Sequence, residues 1–216
     1  MRRIVIFDLD GTLLDSVADL AQATNYALAQ NGYPVHPQDA YRFFVGNGIN
    51  KLFERALPEG AKTQENIQRI RATFIPYYNE HKSDLTRPYP EIEQLLEALQ
   101  NKGVRLAVAS NKYMAATVQL VSQFFPSIHF DVVFGQRDDV PVKPHPQIVY
   151  DILQHTGYSP ADVLYVGDTA VDMHTAHNAG VDVVAVTWGF RPRAELEACN
   201  PTHIVNHPLQ ILSLIE

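Results

Sequence analysis

Two carboxylates, Asp8 and Asp10, follow the apolar run Ile4-Val5-Ile6-Phe7 and stand just before Gly11. Residues two apart on a strand face the same side, so like charges are forced together where the strand ends. Such crowding costs stability unless a cation holds the pair. Other polar groups trail other apolar runs in the same way. Ser110 and Asn111 follow 106–109, Lys143 lies in "VKPHP" beyond 132–134, and Asp168 and Asp172 follow 163–166 in "VGDTAVD". Three or four carboxylates, one hydroxyl and one lysine describe a hard-cation site beside an anion hole. Mg²⁺ takes oxygen ligands, and phosphate takes a cation plus hydrogen-bond donors.

These groups can meet only if the fold brings the run ends to one edge. The runs 4–7, 106–109, 132–134, 163–166 and 183–186 are apolar without alternation, as strands covered on both faces are, and segments of helical length lie between them. The pattern predicts an α/β fold with a parallel sheet, whose carboxyl edge binds ligands. A helix over 91–102 closed by Gly103, and another ending near His155 before Ser159-Pro160, supply the alternation from about residue 90 onward. Residues 16–82 break it. They carry helical periodicity over 17–30, 50–57 and 64–78 and no strand, so they read as an all-helical insertion between the first and second strands. Its junctions, 15–16 and the proline-bearing 82–90, read as hinges.

Composition narrows the function classes. With 216 residues, 46% hydrophobic, the chain buries a real core as one large domain or two small ones, and its 14 prolines and 11 glycines are spread as punctuation. A net charge of −7 disfavours nucleic acid or an anionic membrane as partner. Cys199 is the only cysteine, which rules out a disulfide framework and fits a reducing cytosol. Residues 1–9 lack a secretory hydrophobic region, and no stretch approaches the ~18 apolar residues of a spanning helix. A cytoplasmic location, as a monomer or homodimer, is expected.

The motifs "DLDGT", "SN", "KP" and "GDTAVD" occur in the order and with the spacing of the haloacid dehalogenase superfamily of aspartate-nucleophile phosphotransferases, which the chain resembles over essentially its whole length. Within the insertion, "FVGNGINKLFERAL", together with the later "WGF", is similar to the phosphoglycolate phosphatase branch. The resemblance implies a Rossmann-like core of residues 1–15 and 83–216 with residues 16–82 as a helical cap. It implies Asp8 as nucleophile, forming an aspartyl-phosphate, and Asp10 as acid toward the leaving alcohol and then base toward water. Mg²⁺ would be held by an oxygen of Asp8, the backbone carbonyl of Asp10 and the carboxylate of Asp168, with Asp172 orienting waters or the lysine. Ser110, Asn111 and nearby N–H groups would hold phosphoryl oxygens, and Lys143 would offset negative charge. The expected partner is a small phosphorylated metabolite. A sugar phosphomutase of the same fold is the first rival, and a phospho-accepting receiver module, about half this length and without an insertion, is the second.

Other features invite a blander reading. "DLDG" is not a calcium loop, because the glycine falls too early and Asp19 stands where a closing glutamate belongs. "GNGINK", 46–51, lacks the third glycine of a dinucleotide loop. It is either a helix–helix turn or, the preferred reading, a cap loop that reads substrate through Gly46 and Asn47. Lys51 and Arg55, one turn apart, could meet a substrate carboxylate but read better as a solvated basic face. His145 stands beside Lys143 and could line the site. His174 and His177 read as helix surface, and Trp188 and Phe190 as packing.

Overall fold

The five apolar runs become strands of a sheet whose two faces are each covered by an apolar cluster. In the computed structural model, which describes residues 2–215, the strands are β1 (Ile4–Phe7), β2 (Leu14–Asp15), β3 (Arg87–Pro88), β4 (Arg105–Tyr113), β5 (Val132–Gln136), β6 (Val163–Gly167), β7 (Asp182–Val186) and β8 (His203–Val205). The helices are α1 (Val17–Gln30), α2 (Tyr41–Phe44), α3 (Ile49–Ala56), α4 (Gln64–His81), α5 (Ile92–Asn101), α6 (Met114–Phe124), α7 (Gln147–Thr156), α8 (Ala170–Ala179) and α9 (Arg193–Ala198). Six strands form one sheet in the order β5-β4-β1-β6-β7-β8, all pairs parallel. This is the predicted α/β fold, with β8 added at an edge.

Period-two geometry sends alternate residues of β1 into two different cores. Val5 and Phe7 pack with Leu95, Leu96 and Leu99 of α5. Ile4 and Ile6 pack on the opposite face with Val149 and Ile152 of α7 and Met173 of α8. Since both faces are apolar, the strand reads as an uninterrupted run. Strand order reverses at β1, so the carboxyl ends of β4, β1 and β6 lie side by side at the switch point.

Residues 16–82 hold no strand in the structure. α1 packs along α4, and Leu28, Phe53, Ile70 and Phe74 belong to a third apolar cluster. α4 continues through Pro76 to His81, beyond the predicted end at 78.

The two connecting segments are paired to each other. β2 and β3 form a short antiparallel ladder, Leu14 opposite Pro88 and Asp15 opposite Arg87. Asp19, 2% exposed, accepts hydrogen bonds from Leu85 N–H (3.0 and 3.1 Å), Thr86 N–H (2.8 Å) and the Thr86 hydroxyl (2.7 Å). Among the described residues no helix is long and apolar enough to cross a membrane.

Candidate active site

The end of β1 delivers Asp8 into the crevice while its own N–H donates to Val166 O of the neighbouring strand (2.9 Å). Asp168 arrives from the end of β6, fully buried, with Oδ1 accepting from the Thr12 hydroxyl (3.2 Å) and Oδ2 from Phe190 N–H (2.7 Å). Two glycines make room for it. A Cβ on Gly11, whose φ is +88°, would stand 2.3 Å from Asp168 Oδ2, and one on Gly189 would stand 2.3 Å from Asp168 Cβ.

Asp172 lies one turn into α8. Its Oδ2 accepts from Thr169 N–H (3.1 Å) and Oγ1–H (2.7 Å), closing a capping box at the helix start. Its Oδ1 accepts from Lys143 Nζ (2.7 Å). Lys143 is held further by Ala109 O (2.8 Å) and lies 2.9 Å from Asp8 Oδ1. That last contact is an ion pair off the hydrogen-bond direction, which leaves Asp8 Oδ1 without an aligned donor.

β4 runs three residues past Ser110, and its pairing with β5 shifts register between Ala109 and Tyr113. Irregularities of this kind re-aim side chains at a strand end. Ser110 Oγ accepts from Lys112 N–H (3.2 Å) and, among the described residues, donates to no protein group. Asn111 ties two loops to the strand. Its Nδ2 donates to Gly46 O (3.0 Å) and Lys143 O (3.1 Å), while Oδ1 accepts from Lys143 N–H (2.9 Å). Lys112, absent from the sequence reading, is the third residue of this stretch. Its side chain is 4% exposed, and Nζ donates to both oxygens of Asp10 (3.0 and 2.8 Å). Asp10 Oδ1 also accepts from the Ser16 hydroxyl.

Asp8, Asp10, Ser110, Asn111 and Lys112 form one wall of a cleft, and Leu20, Val45, Ile49, Leu52 and Phe74 of the helical block form the opposite wall. Gly46 lines it too. Asn47 does not; its Oδ1 accepts from Arg55 Nη2 (2.7 Å). Arg55 also donates to Phe44 O, and Lys51 pairs with Glu54 at 2.7 Å, so both cations are spent within the block. His145 is exposed and accepts from Gln147 N–H. His174 and His177 are exposed on α8. Phe190 joins the third cluster and Trp188 packs on the first.

Charge is unbalanced at the floor. Burial, with the Asp172 charge added, pushes the Asp8 carboxyl up to about 7 against the pull of Lys143. Burial, with Asp172 and Asp8 beside it, holds Asp168 well above the usual carboxylate range. Burial works against the Lys143 ammonium, but Asp172 and Asp8 outweigh it and hold its pKa well above the ordinary value. Asp8, Asp168 and Asp172 each bring a carboxylate oxygen within 4.8 Å of the other two. Both Asp172 oxygens are engaged by Lys143 and Thr169, whereas, among the described residues, the Asp8 carboxylate is met by Lys143 alone, at Oδ1. Oxygen-only donors, buried and under-neutralised, suit a hard divalent cation.

The family model of haloacid dehalogenase-like hydrolases matches residues 5–186. The chain is 36% identical to the phosphoglycolate phosphatase of Pasteurella multocida and 32% identical to that of Haemophilus influenzae, each over 99% of this chain and 98% of the relative. Its fold superposes on the crystal structure of a predicted phosphoglycolate phosphatase from Haemophilus somnus with a TM-score of 0.92, at 30% identity, over 100% of this chain and 98% of that one.

Proposed function

The chain belongs to the haloacid dehalogenase-like hydrolases and is a phosphoric monoester hydrolase, and from that premise we propose that it cleaves a small phosphomonoester, phosphoglycolate first among candidates, through an aspartyl-phosphate on Asp8 with Mg²⁺ as cofactor. The observation that carries the reading is the convergence of the Asp8 and Asp168 carboxylates with Lys143, beside a cleft on which Asp10 opens.

Asp8 and Asp168, with the backbone carbonyl of Asp10, are the residues to hold Mg²⁺, since Asp172 is spent on Lys143 and on its helix cap. When bound, the cation neutralises phosphoryl charge and favours ionised carboxylates. An oxygen of Asp8 attacks phosphorus, and the bond from phosphorus to the ester oxygen breaks. Lys143, fixed from three sides, balances negative charge there as a point charge. The Ser110 hydroxyl donates to a phosphoryl oxygen. Asp10, entering the cycle as the protonated acid, gives its proton to the leaving oxygen and regains one from the water that hydrolyses the aspartyl-phosphate, returning Asp8 and inorganic phosphate.

The helical block acts as the cap. Its wall is apolar at Leu20, Val45, Ile49, Leu52 and Phe74, which suits exclusion of water more than recognition of a polyhydroxyl sugar. A panel containing phosphoglycolate, ethyl phosphate, an aryl phosphate and hexose phosphates tests the proposal. Phosphate release with Mg²⁺ that falls to background with a chelator is expected. Release from none of the esters, or undiminished release without metal, overturns it.

A further inference from the structure

Lys112 is buried and paired with Asp10. It lines the same cleft as Asp8 and Asp10, and Nζ is within 2.8 and 3.0 Å of the two Asp10 oxygens. Lys112 and Asp10 form a buried ion pair, with side chains 4% and 11% exposed. An ammonium has three N–H donors, and two of them point to the Asp10 oxygens. On its other side, Nζ sits 5.0 Å from the centre of the Tyr78 ring. Tyr78 is completely buried, its hydroxyl is near the Lys112 ammonium but in no well-aligned hydrogen bond among the described residues, and it too lines the cleft. A buried hydroxyl left alone is costly unless a ligand completes it. The remaining cap wall is apolar, and the two cations of α3, Lys51 and Arg55, do not reach the cleft.

We propose that Lys112, supported by the Tyr78 hydroxyl, determines specificity by binding a carboxylate on the carbon that carries the leaving oxygen. This rests on the reading above in which Asp10 protonates that oxygen. If the ester oxygen sits against Asp10, a carboxylate on the adjoining carbon comes within reach of the ammonium that grips Asp10. A substrate with no anion there leaves the ammonium and the tyrosine hydroxyl beside an apolar group, with no charge-assisted partner from the ligand, which selects against it. The same lysine therefore holds the acid in place and reads the leaving group.

The test compares phosphoglycolate with ethyl phosphate, which has the same carbons and no carboxylate, in wild type and in Lys112→Met. Wild type should favour phosphoglycolate in kcat/KM. In Lys112→Met the ratio between the two substrates should fall about tenfold to a hundredfold, the worth of one charge-assisted hydrogen bond, mainly through KM for phosphoglycolate. Lys112→Gln, which keeps a neutral donor for Asp10, reads the same ratio if the methionine variant does not fold. Equal losses on both substrates would mean that Lys112 serves Asp10 alone and would overturn the inference, as would a wild type without preference. Absence of phosphate release from either ester in wild type with Mg²⁺ would instead bring down the phosphatase reading on which it rests.

Discussion

Between about pH 4 and about pH 7, Asp8 in the metal-free fold holds a proton that it would not hold in water. Its carboxyl holds that proton up to about 7, whereas an unfolded Asp8 releases it near 3.8, so the folded state binds more protons across that interval. A raised carboxyl pKa contributes stability that is complete below the unfolded value and is lost as pH rises through the folded one. Metal-free protein should therefore lose stability between about pH 4 and about pH 7 from this group, and a cation that favours the carboxylate should restore it. Thermal melts with and without Mg²⁺ check this: the gain in Tm should be larger at pH 7.5 than at pH 5, and an equal or smaller gain contradicts the assignment. Much of this site is legible in the amino-acid sequence because its acids need fixed spacings, Asp8 to Asp10 around a strand end and Asp168 to Asp172 across one helical turn. Lys112 is not legible. A lysine after Ser110 and Asn111 looks like any surface residue, and its contact with Asp10 comes in a stretch where the β4–β5 pairing shifts register.

At the scale of elements, what matters is how the helical block is fastened to the sheet. Both connecting segments pass through the β2–β3 ladder, and Asp19 at the start of α1 gathers the backbone of 85 and 86 onto itself. Removing that carboxylate strands buried donors with no acceptor. Asp19→Ala should cost about 2 kcal/mol. For a chain of this size that lowers Tm by about 4–8 °C. A Tm within a degree of wild type would show that the clasp contributes nothing. The same elements mark where sequence patterning fails. β1, β4, β6 and β7 announce themselves because both faces are covered, but β8 is three residues at an edge beginning with the exposed His203, and β2 and β3 are two residues each, too short for any period to register. The junctions read as hinges because two prolines and several charges lie in 82–90, whereas the pairing that ties them is between segments some seventy residues apart and leaves no local trace.

Across the whole molecule, the sheet and the helical block contribute opposite halves of one chamber. The parallel sheet brings acids, a serine and two lysines from four separate chain segments to its carboxyl edge, and the helices close over them with apolar side chains. A net charge of −7 does not deter an anionic substrate when Lys143 and Lys112 supply positive charge inside the cleft wall. In the proposed reaction everything in this arrangement serves one event, transfer of a phosphoryl group onto Asp8. Asp10→Asn keeps Asp8 and Lys143 in place but removes the proton carrier, a loss of typically ~10²–10⁴-fold in turnover. An aryl phosphate, whose leaving group needs little protonation, can still phosphorylate Asp8 in that variant, while hydrolysis of the intermediate stalls. Rapid acid quench of Asp10→Asn with an aryl phosphate and Mg²⁺, followed by peptide mass spectrometry, should therefore find phosphate on Asp8, with Asp8→Asn at background turnover. Phosphate on any other residue, or substantial turnover by Asp8→Asn, would contradict the account.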